Sequence, residues 1–361
     1  MSGELVKFGK GTTICGRWKI IGQLGSGGCG AVYKVEDTKR AGFTAALKAE
    51  AGNVGVNGVL KLEVQVLKKL ESLPHTIRMY DCGRRPEYSF YVMTLCGHDL
   101  LNLAHRAGNN LSRHTLCRIG VMCLAAIKQI HDIGFVHRDV KPGNFVAAAP
   151  SGMAGRILYL IDFGEIAAGP NSIQAGLIRS HVKKSKAGFE EPRKPRKKVE
   201  LRGTMRYCSL NTHLRKEQGR VDDCISLMFV LQAIHRGLPW DNCKVEAEIV
   251  ALKKECSDAI IFVDSPAEFI KIAAYLRTVE GTGRPNYAKI YKLLMAQVIR
   301  DCATFLDPYE WETKEPEAQT MIEPVAEETI TFRKETDQVL QYRVYPTLAP
   351  AVFEEDKKPL Q

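Results

Sequence analysis

His137-Arg138-Asp139-Val140-Lys141-Pro142-Gly143-Asn144 is the stretch on which the reading of this chain turns. A carboxylate followed five positions later by an amide, on a loop, can serve two jobs at one site. Asp139 can accept a hydrogen bond from an attacking hydroxyl, while Asn144 turns back to ligate a divalent ion. Lys141 lies between them and can neutralise charge on a moving phosphoryl group. The plainer reading, a solvated turn, needs eight residues to match by chance. Downstream, the apolar run Ile157-Leu158-Tyr159-Leu160-Ile161 leads into Asp162-Phe163-Gly164. A carboxylate at the end of a buried strand, before a glycine, is a natural Mg²⁺ ligand.

Upstream stands Gly25-Ser26-Gly27-Gly28-Cys29-Gly30-Ala31-Val32, flanked by strand patterns on both sides. Glycines let backbone N–H groups approach phosphate closely, although the same string also makes a plain glycine-rich hairpin. The following element reads as a strand rather than a helix, which argues against a Rossmann site and for a flap over nucleotide phosphates. Lys48 ends a β pattern and Glu63 sits on the helix after it. A strand-borne lysine can pair two phosphates if a carboxylate holds its ammonium, and in isolation a solvated lysine and glutamate would be the bland alternative. The four signals occur in the one order that works together.

Composition narrows the class. The chain has 361 residues, 45% apolar and 25% charged, as in an ordinary globular protein of two lobes or domains. No stretch approaches the roughly 18 uninterrupted apolar residues of a membrane span, and the charged N-terminus carries no signal-peptide pattern. Eleven cysteines stand singly, without a CxxC pair, so reduced thiols, no structural zinc and a cytoplasmic location are expected. The net charge of +10 is local in origin. Residues 179–206 hold eleven Lys or Arg against three Glu, and residues 305–361 hold thirteen acids against six bases. No basic groove with aromatic platforms is legible, which argues against nucleic acid as a partner.

The pattern of elements is α+β. Residues 18–96 read as a small β-rich lobe with one main helix, at 58–73, where Leu60, Val64, Leu67 and Leu70 recur at helical spacing. Residues 97–306 read as a larger, mostly helical lobe. Residues 1–17 are expected as an N-terminal extension, 170–206 as a long basic loop, and 307–361 as an acidic extended tail. A ligand cleft between the lobes is expected, and the protein as a monomer.

With these strings in place, the chain resembles the eukaryotic protein kinases, and more narrowly the casein kinase 1 group. In place of the usual Ala-Pro-Glu it has Gly203-Thr204-Met205-Arg206-Tyr207-Cys208-Ser209-Leu210-Asn211-Thr212-His213, followed by Asp222-Asp223, Ser226-Leu227 and Gly237-Leu238-Pro239-Trp240. Leu62 to Leu70 and Gly134 to Asp139 are similar to the tau-tubulin kinase branch. The resemblance covers residues 18 to about 300. It implies a bilobal kinase fold and transfer of the γ-phosphoryl group of ATP to Ser or Thr, with Mg²⁺ or Mn²⁺ held by Asn144 and Asp162. It implies ATP contacts from Leu24, Gly25, Ser26, Gly27, Gly28, Cys29, Gly30, Val32, Ala46, Lys48 and Glu63. Met93 matches the residue guarding the adenine pocket, and Thr94, Leu95 and Cys96 match the hinge. Asp139, Lys141, Asn144 and Asp162 take the catalytic roles. Asp223 matches the carboxylate that braces the catalytic loop, and Arg206 matches an anion-binding position in a group that favours acidic or pre-phosphorylated protein substrates.

Two departures stand out. Glu165 follows Asp162-Phe163-Gly164, and Asp241 follows Trp240 near the expected anion site, which sets a negative charge against primed substrates. The basic run with Lys194, Arg196, Lys197 and Lys198 reads three ways: a solvated insert, a surface for capturing acidic substrate, or a nuclear localisation signal. The acidic tail, with Thr329, Thr331 and Thr336 beside acids, is positioned in sequence to compete with acidic substrate for that run. A catalytically weak, kinase-shaped scaffold is the alternative reading of the whole.

Overall fold

The computed structural model describes residues 6–27, 30–52, 59–71, 73, 76–149, 153–163, 179–180, 182–184, 190–192, 199–280, 283–312 and 353. Up to Met93 it is one antiparallel sheet and a helix: β1 (Thr13–Ile14), β2 (Trp18–Gly27), β3 (Gly30–Asp37), β4 (Thr44–Ala51), α1 (Val59–Leu70), β5 (Met79–Arg84) and β6 (Tyr88–Met93). The strand order is β1-β2-β3-β4-β6-β5, so α1 leaves one edge of the meander and the chain returns beside β4. Along β3 alternate residues Ala31, Tyr33, Val35 and Asp37 are buried, the period of two that a one-sided core demands. They meet Trp18, Ile20, Leu47, Phe90 and Val92. Helix α1 buries Leu60, Val66, Leu67 and Leu70, while Val64 is only half-buried. Glu63 lies on the same inner face, fully buried, which a helix accepts only when a cation waits there.

The second lobe is built around α3 (Arg113–Asp132), preceded by the short α2 (Leu100–Arg106). Ser112 caps α3 by accepting the Thr115 N–H, every residue from Thr115 to His131 is buried, and Gly134 at φ +87° ends the helix. Short strands β7 (Phe135–Val136), β8 (Phe145–Ala147) and β9 (Leu158–Leu160) carry the chain across the cleft floor. Between β9 and the later helices lie β10 (Arg179–Ser180), β11 (Val182–Lys184) and β12 (Glu190–Pro192). Then follow α4 (Leu210–His213), α5 (Arg220–Ala233), α6 (Glu246–Glu255), α7 (Asp258–Ile261), α8 (Ala267–Thr278) and α9 (Tyr287–Arg300). Helices α5 and α9 pack on α3. Among the described residues no helix is long and apolar enough to cross a membrane.

Three boundaries differ from the sequence expectation. Of the N-terminal extension, residues 6–17 join the first lobe: β1 pairs with β2, and Phe8 packs edge-on against Tyr88 at 5.0 Å while its N–H donates to the Tyr33 hydroxyl. The segment 170–206 contains strands where a loop is expected. β10 pairs with β7, and β11 with β12 in a register that sets Lys183 opposite Glu191 and Lys184 opposite Glu190. The tail does not start at residue 307. Tyr309 and Trp311 are buried and stacked at 4.3 Å, and the Arg118 guanidinium lies 4.0 Å over the Tyr309 ring. Arg156 pairs with Glu312 at 2.6 Å. Burying two aromatic side chains offsets the cost of ordering so short a segment, at about 1.5–3 kcal/mol each. Farther on, Phe353 is buried against Tyr291, with ring centroids 4.7 Å apart.

Candidate active site

Lys48 stands on β4 directly across from Tyr91 on β6, and both point at the inner face of α1. Its Nζ donates to Glu63 Oε1 at 2.7 Å and to Asp162 Oδ1 at 3.1 Å, tying the two lobes together. The Tyr91 hydroxyl donates to the other Glu63 oxygen at 2.8 Å. Burial works against the Lys48 ammonium, yet Tyr91, Glu63 and Asp162 carry its pKa well above the ordinary lysine value. Burial pushes the Glu63 carboxyl upward while Lys48 opposes it. The result is a fixed, desolvated positive charge at the cleft wall.

Over this charge runs the β2–β3 hairpin, whose register pairs Gly25 with Val32, Ser26 with Ala31 and Gly27 with Gly30. Gly28 and Cys29 lie outside the described residues. Gly30 has φ +112°, and a Cβ there would stand 2.2 Å from the Ala49 carbonyl oxygen, so no other residue fits. Behind the hairpin Ala46 is buried and paired in register with Met93, Val32 is half-buried, and Leu24 is 53% exposed at the lip. In the connection after β6 the Thr94 N–H donates to Arg78 O at 2.9 Å. Burial pushes the Cys96 thiol up to about 12, leaving it a neutral wall.

The catalytic-loop string is held from below by Asp223 on α5. Asp223 Oδ1 accepts the Arg138 N–H at 2.8 Å, and Oδ2 accepts the His137 N–H at 2.7 Å and contacts His131 Nε2 at 2.9 Å. Burial would raise this carboxyl, but His131 and the His137 contacts hold it below the usual range. The bracing permits strain: Arg138 and Asp162 both have left-handed backbones, at φ +70° and +63°, conformations that non-glycine residues keep only where surroundings enforce them. The His137 ring packs against buried Phe163. Arg138 itself is buried and reaches Glu217 at 3.2 Å.

Asp139 is the convergence point. Its Oδ1 accepts both the N–H and the hydroxyl of Thr204 at 2.8 Å, and Lys141 Nζ stands 2.7 Å from Oδ2. Asn144 Nδ2 donates to the Asp139 backbone oxygen at 2.8 Å, which orients the amide. Gly203 at φ +88° lets the chain come this close, since a Cβ would lie 2.3 Å from Arg138 O. Among the described residues no group of three His, Cys, Asp or Glu side chains could cage a metal. Two oxygen donors, Asp162 and Asn144, suit Mg²⁺ or Mn²⁺ nonetheless, because hard cations of this kind keep waters and substrate phosphates as further ligands.

On the substrate side, Arg206 already has a partner within the chain. Its guanidinium is paired with Asp241, Nε at 2.6 Å from Oδ1 and Nη2 donating to Oδ2 at 2.8 Å. Lys253 on α6 donates to the carbonyls of Met205 and Cys208 at 2.7 and 2.6 Å, and burial lowers its pKa to about 8. Lys194, Arg196, Lys197 and Lys198, and likewise Gly164, Glu165, Thr329, Thr331 and Thr336, lie outside the described residues. Tyr91, Thr204, Glu217, His131 and Lys253 are the functional neighbours that the sequence reading missed. Only Tyr91 had a local signal, its cross-strand register with Lys48.

A model described as the protein kinase domain matches residues 18–182. Two Caenorhabditis elegans proteins named as putative, a serine/threonine-protein kinase and a casein kinase I, are respectively 37% and 29% identical, each over 84% of this chain and over 84% and 85% of their own lengths. The inactive tau-tubulin kinase ttbk-6 of the same organism is 30% identical over 81% of this chain and 99% of its own. With the lysine–glutamate pair, the braced catalytic loop and the bilobal fold, this similarity places the chain in the protein kinase family, as a protein serine/threonine kinase.

Proposed function

We propose that this kinase is of the casein kinase 1 type and transfers the γ-phosphoryl group of ATP to Ser or Thr of acidic or pre-phosphorylated proteins. The observation that carries the reading is the Lys48 ammonium held between Glu63 and Asp162 at 2.7 and 3.1 Å, above an Asp139 bonded to Thr204. The casein kinase 1 type draws further support from the stretch after Gly203, where Ser209 caps α4 and its hydroxyl donates to Asp222, and from the relatives' names.

In this reading Lys48 pairs the nucleotide phosphates, and the adenine edge falls to the backbone of Leu95 and Cys96, since the Thr94 N–H is committed to Arg78. Asp162 and Asn144 are the residues that would hold Mg²⁺, whose contribution when bound is to neutralise phosphate charge. The acceptor hydroxyl gives its proton to Asp139 as its oxygen bonds to the γ-phosphorus, and the bond to ADP breaks. Positioning and electrostatics carry most of the rate. Lys194, Arg196, Lys197 and Lys198 add capture of acidic substrate. A second reading, a weak scaffold of the same shape, draws on the relative named inactive.

Transfer from labelled ATP with Mg²⁺ to casein, wild type against Asp162→Asn, separates the two. Transfer that the variant loses supports the kinase; ATP binding without transfer by the wild type moves the weight to the scaffold.

A further inference from the structure

The turn Gly237-Leu238-Pro239-Trp240-Asp241 is folded around a carboxylate. Asp241 Oδ2 accepts the Leu238 N–H at 2.8 Å as well as the Arg206 Nη2–H, and its own N–H donates to Leu238 O. Gly237 has φ +82°, and a Cβ there would stand 2.8 Å from Asp241 Oδ2, so the turn leaves room for this oxygen and nothing more. Trp240 is buried and its indole N–H donates to the Arg206 carbonyl oxygen at 2.8 Å, which fixes the turn to the strip of chain that carries Arg206. That strip begins at Thr204, whose hydroxyl bonds Asp139, so Arg206 borders the place where an acceptor hydroxyl must lie.

Resting on the kinase reading above, we propose that Asp241 is a built-in counter-ion that fills the anion-receiving face of Arg206, and that this enzyme therefore recognises substrate acidity without using a flanking phosphoserine as its handle. A phosphate approaching Arg206 competes with a carboxylate tethered beside it, at the high effective concentration of an intramolecular partner. Displacing Asp241 leaves a like charge next to the phosphate and an unmet Leu238 N–H. Among the described residues, three cations of this side of the cleft are already engaged: Lys253 is bound to the Met205 and Cys208 carbonyls, Arg215 donates to both oxygens of Glu246, and Lys141 is paired with Asp139. Asp241 is thus a specificity-determining residue, acting through Arg206.

The test uses acceptor-serine peptides of one acidic sequence, unphosphorylated or with a single phosphoserine one to four residues to either side. With the full-length wild type, kcat/KM for the best phosphopeptide stays within about threefold of the parent. Asp241→Asn keeps an oxygen for the Leu238 N–H and removes the charge. It raises the ratio about tenfold, the size of one charge-assisted pair, through KM, and the gain fades with added salt. Asp241→Glu leaves the ratio at the wild-type value. A wild type that already prefers a phosphopeptide about tenfold, or an Asp241→Asn ratio that does not move, overturns the proposal. Binding of the same fluorescent phosphopeptides, measured by anisotropy, gives the ratio independently of catalysis. Absence of transfer to every peptide therefore strikes the kinase reading, while the binding ratio still decides the role of Asp241.

Discussion

Lys48 and Arg206 are both cations held by a carboxylate, at 2.7 and 2.6 Å, and they differ in what surrounds them. The side chains of Lys48 and Glu63 are 9% and 0% exposed, whereas those of Arg206 and Asp241 are 39% and 27% exposed. The same two charges attract about four times more strongly at an effective dielectric near 20 than in bulk water. The inner pair is therefore a rigid fixture, further locked by Tyr91 and Asp162. The outer pair is one that solvent, salt and substrate can contest. Burial separates the part of the cleft that performs the chemistry from the part that chooses what enters.

Removing the inner cation breaks that contrast most severely. Lys48→Met strands Glu63 in the core with only the Tyr91 hydroxyl, and breaking a buried pair from one side costs about 3–5 kcal/mol. Glu63 responds by taking up a proton. We expect kcat/KM to fall at least about 100-fold, as for the loss of one fixed electrostatic group. Adding Glu63→Leu restores stability and not activity. Recovery of activity in the double variant would show that the pair is merely structural. The next effect is at the floor of the cleft. Asp223→Asn puts an amide donor against one of the N–H groups of His137 and Arg138, at about 1–3 kcal/mol for each bond lost. Denaturation should show that loss, and transfer assays a fall of about tenfold in kcat with KM for ATP little changed. A fall in KM alone would break the assignment of Asp223 to the catalytic loop.

Much of the inner site was legible because its residues come in short strings with a mechanism at fixed spacing: Lys48 at a strand end, Asp139 and Asn144 five apart, Asp162 after an apolar strand. The helix carrying Glu63 was legible too, from Leu60, Leu67 and Leu70, although Val66 rather than Val64 completes its buried face. The outer site was not readable in this way. Thr204 reaches Asp139 across 65 positions, Lys253 reaches Met205 across 48, and neither residue type signals its partner locally. Asp241 was visible as an acidic departure, but whether it repelled substrate or sat on Arg206 depended on a turn that only folding closes. The same holds for Tyr309 and Trp311, which sit in an acidic stretch that reads as solvated until α3 offers them the buried Arg118. Short helices such as α2 and α7 draw stability from tertiary contact more than from their own periodicity.

The smallest effect belongs to an outer carboxylate on the substrate side, and its direction follows from protonation. Glu246 accepts from both Arg215 amines at 2.8 and 2.9 Å and contacts His213 Nδ1 at 2.9 Å; Arg215 and His213 lower its pKa to about 2. In the unfolded chain it returns to an ordinary value near 4.5. Between those values the unfolded chain binds a proton that the folded chain refuses, so this contribution is complete above about pH 4.5 and is lost as pH falls towards 2. The carboxylate is one-third exposed, and solvent screening confines the contribution to about 1 kcal/mol or less. Urea midpoints of wild type and Glu246→Gln should differ fully from about pH 5 upward and converge only as pH approaches 2. Parallel pH profiles would mean that this pair, unlike Lys48 and Glu63, contributes nothing to the fold.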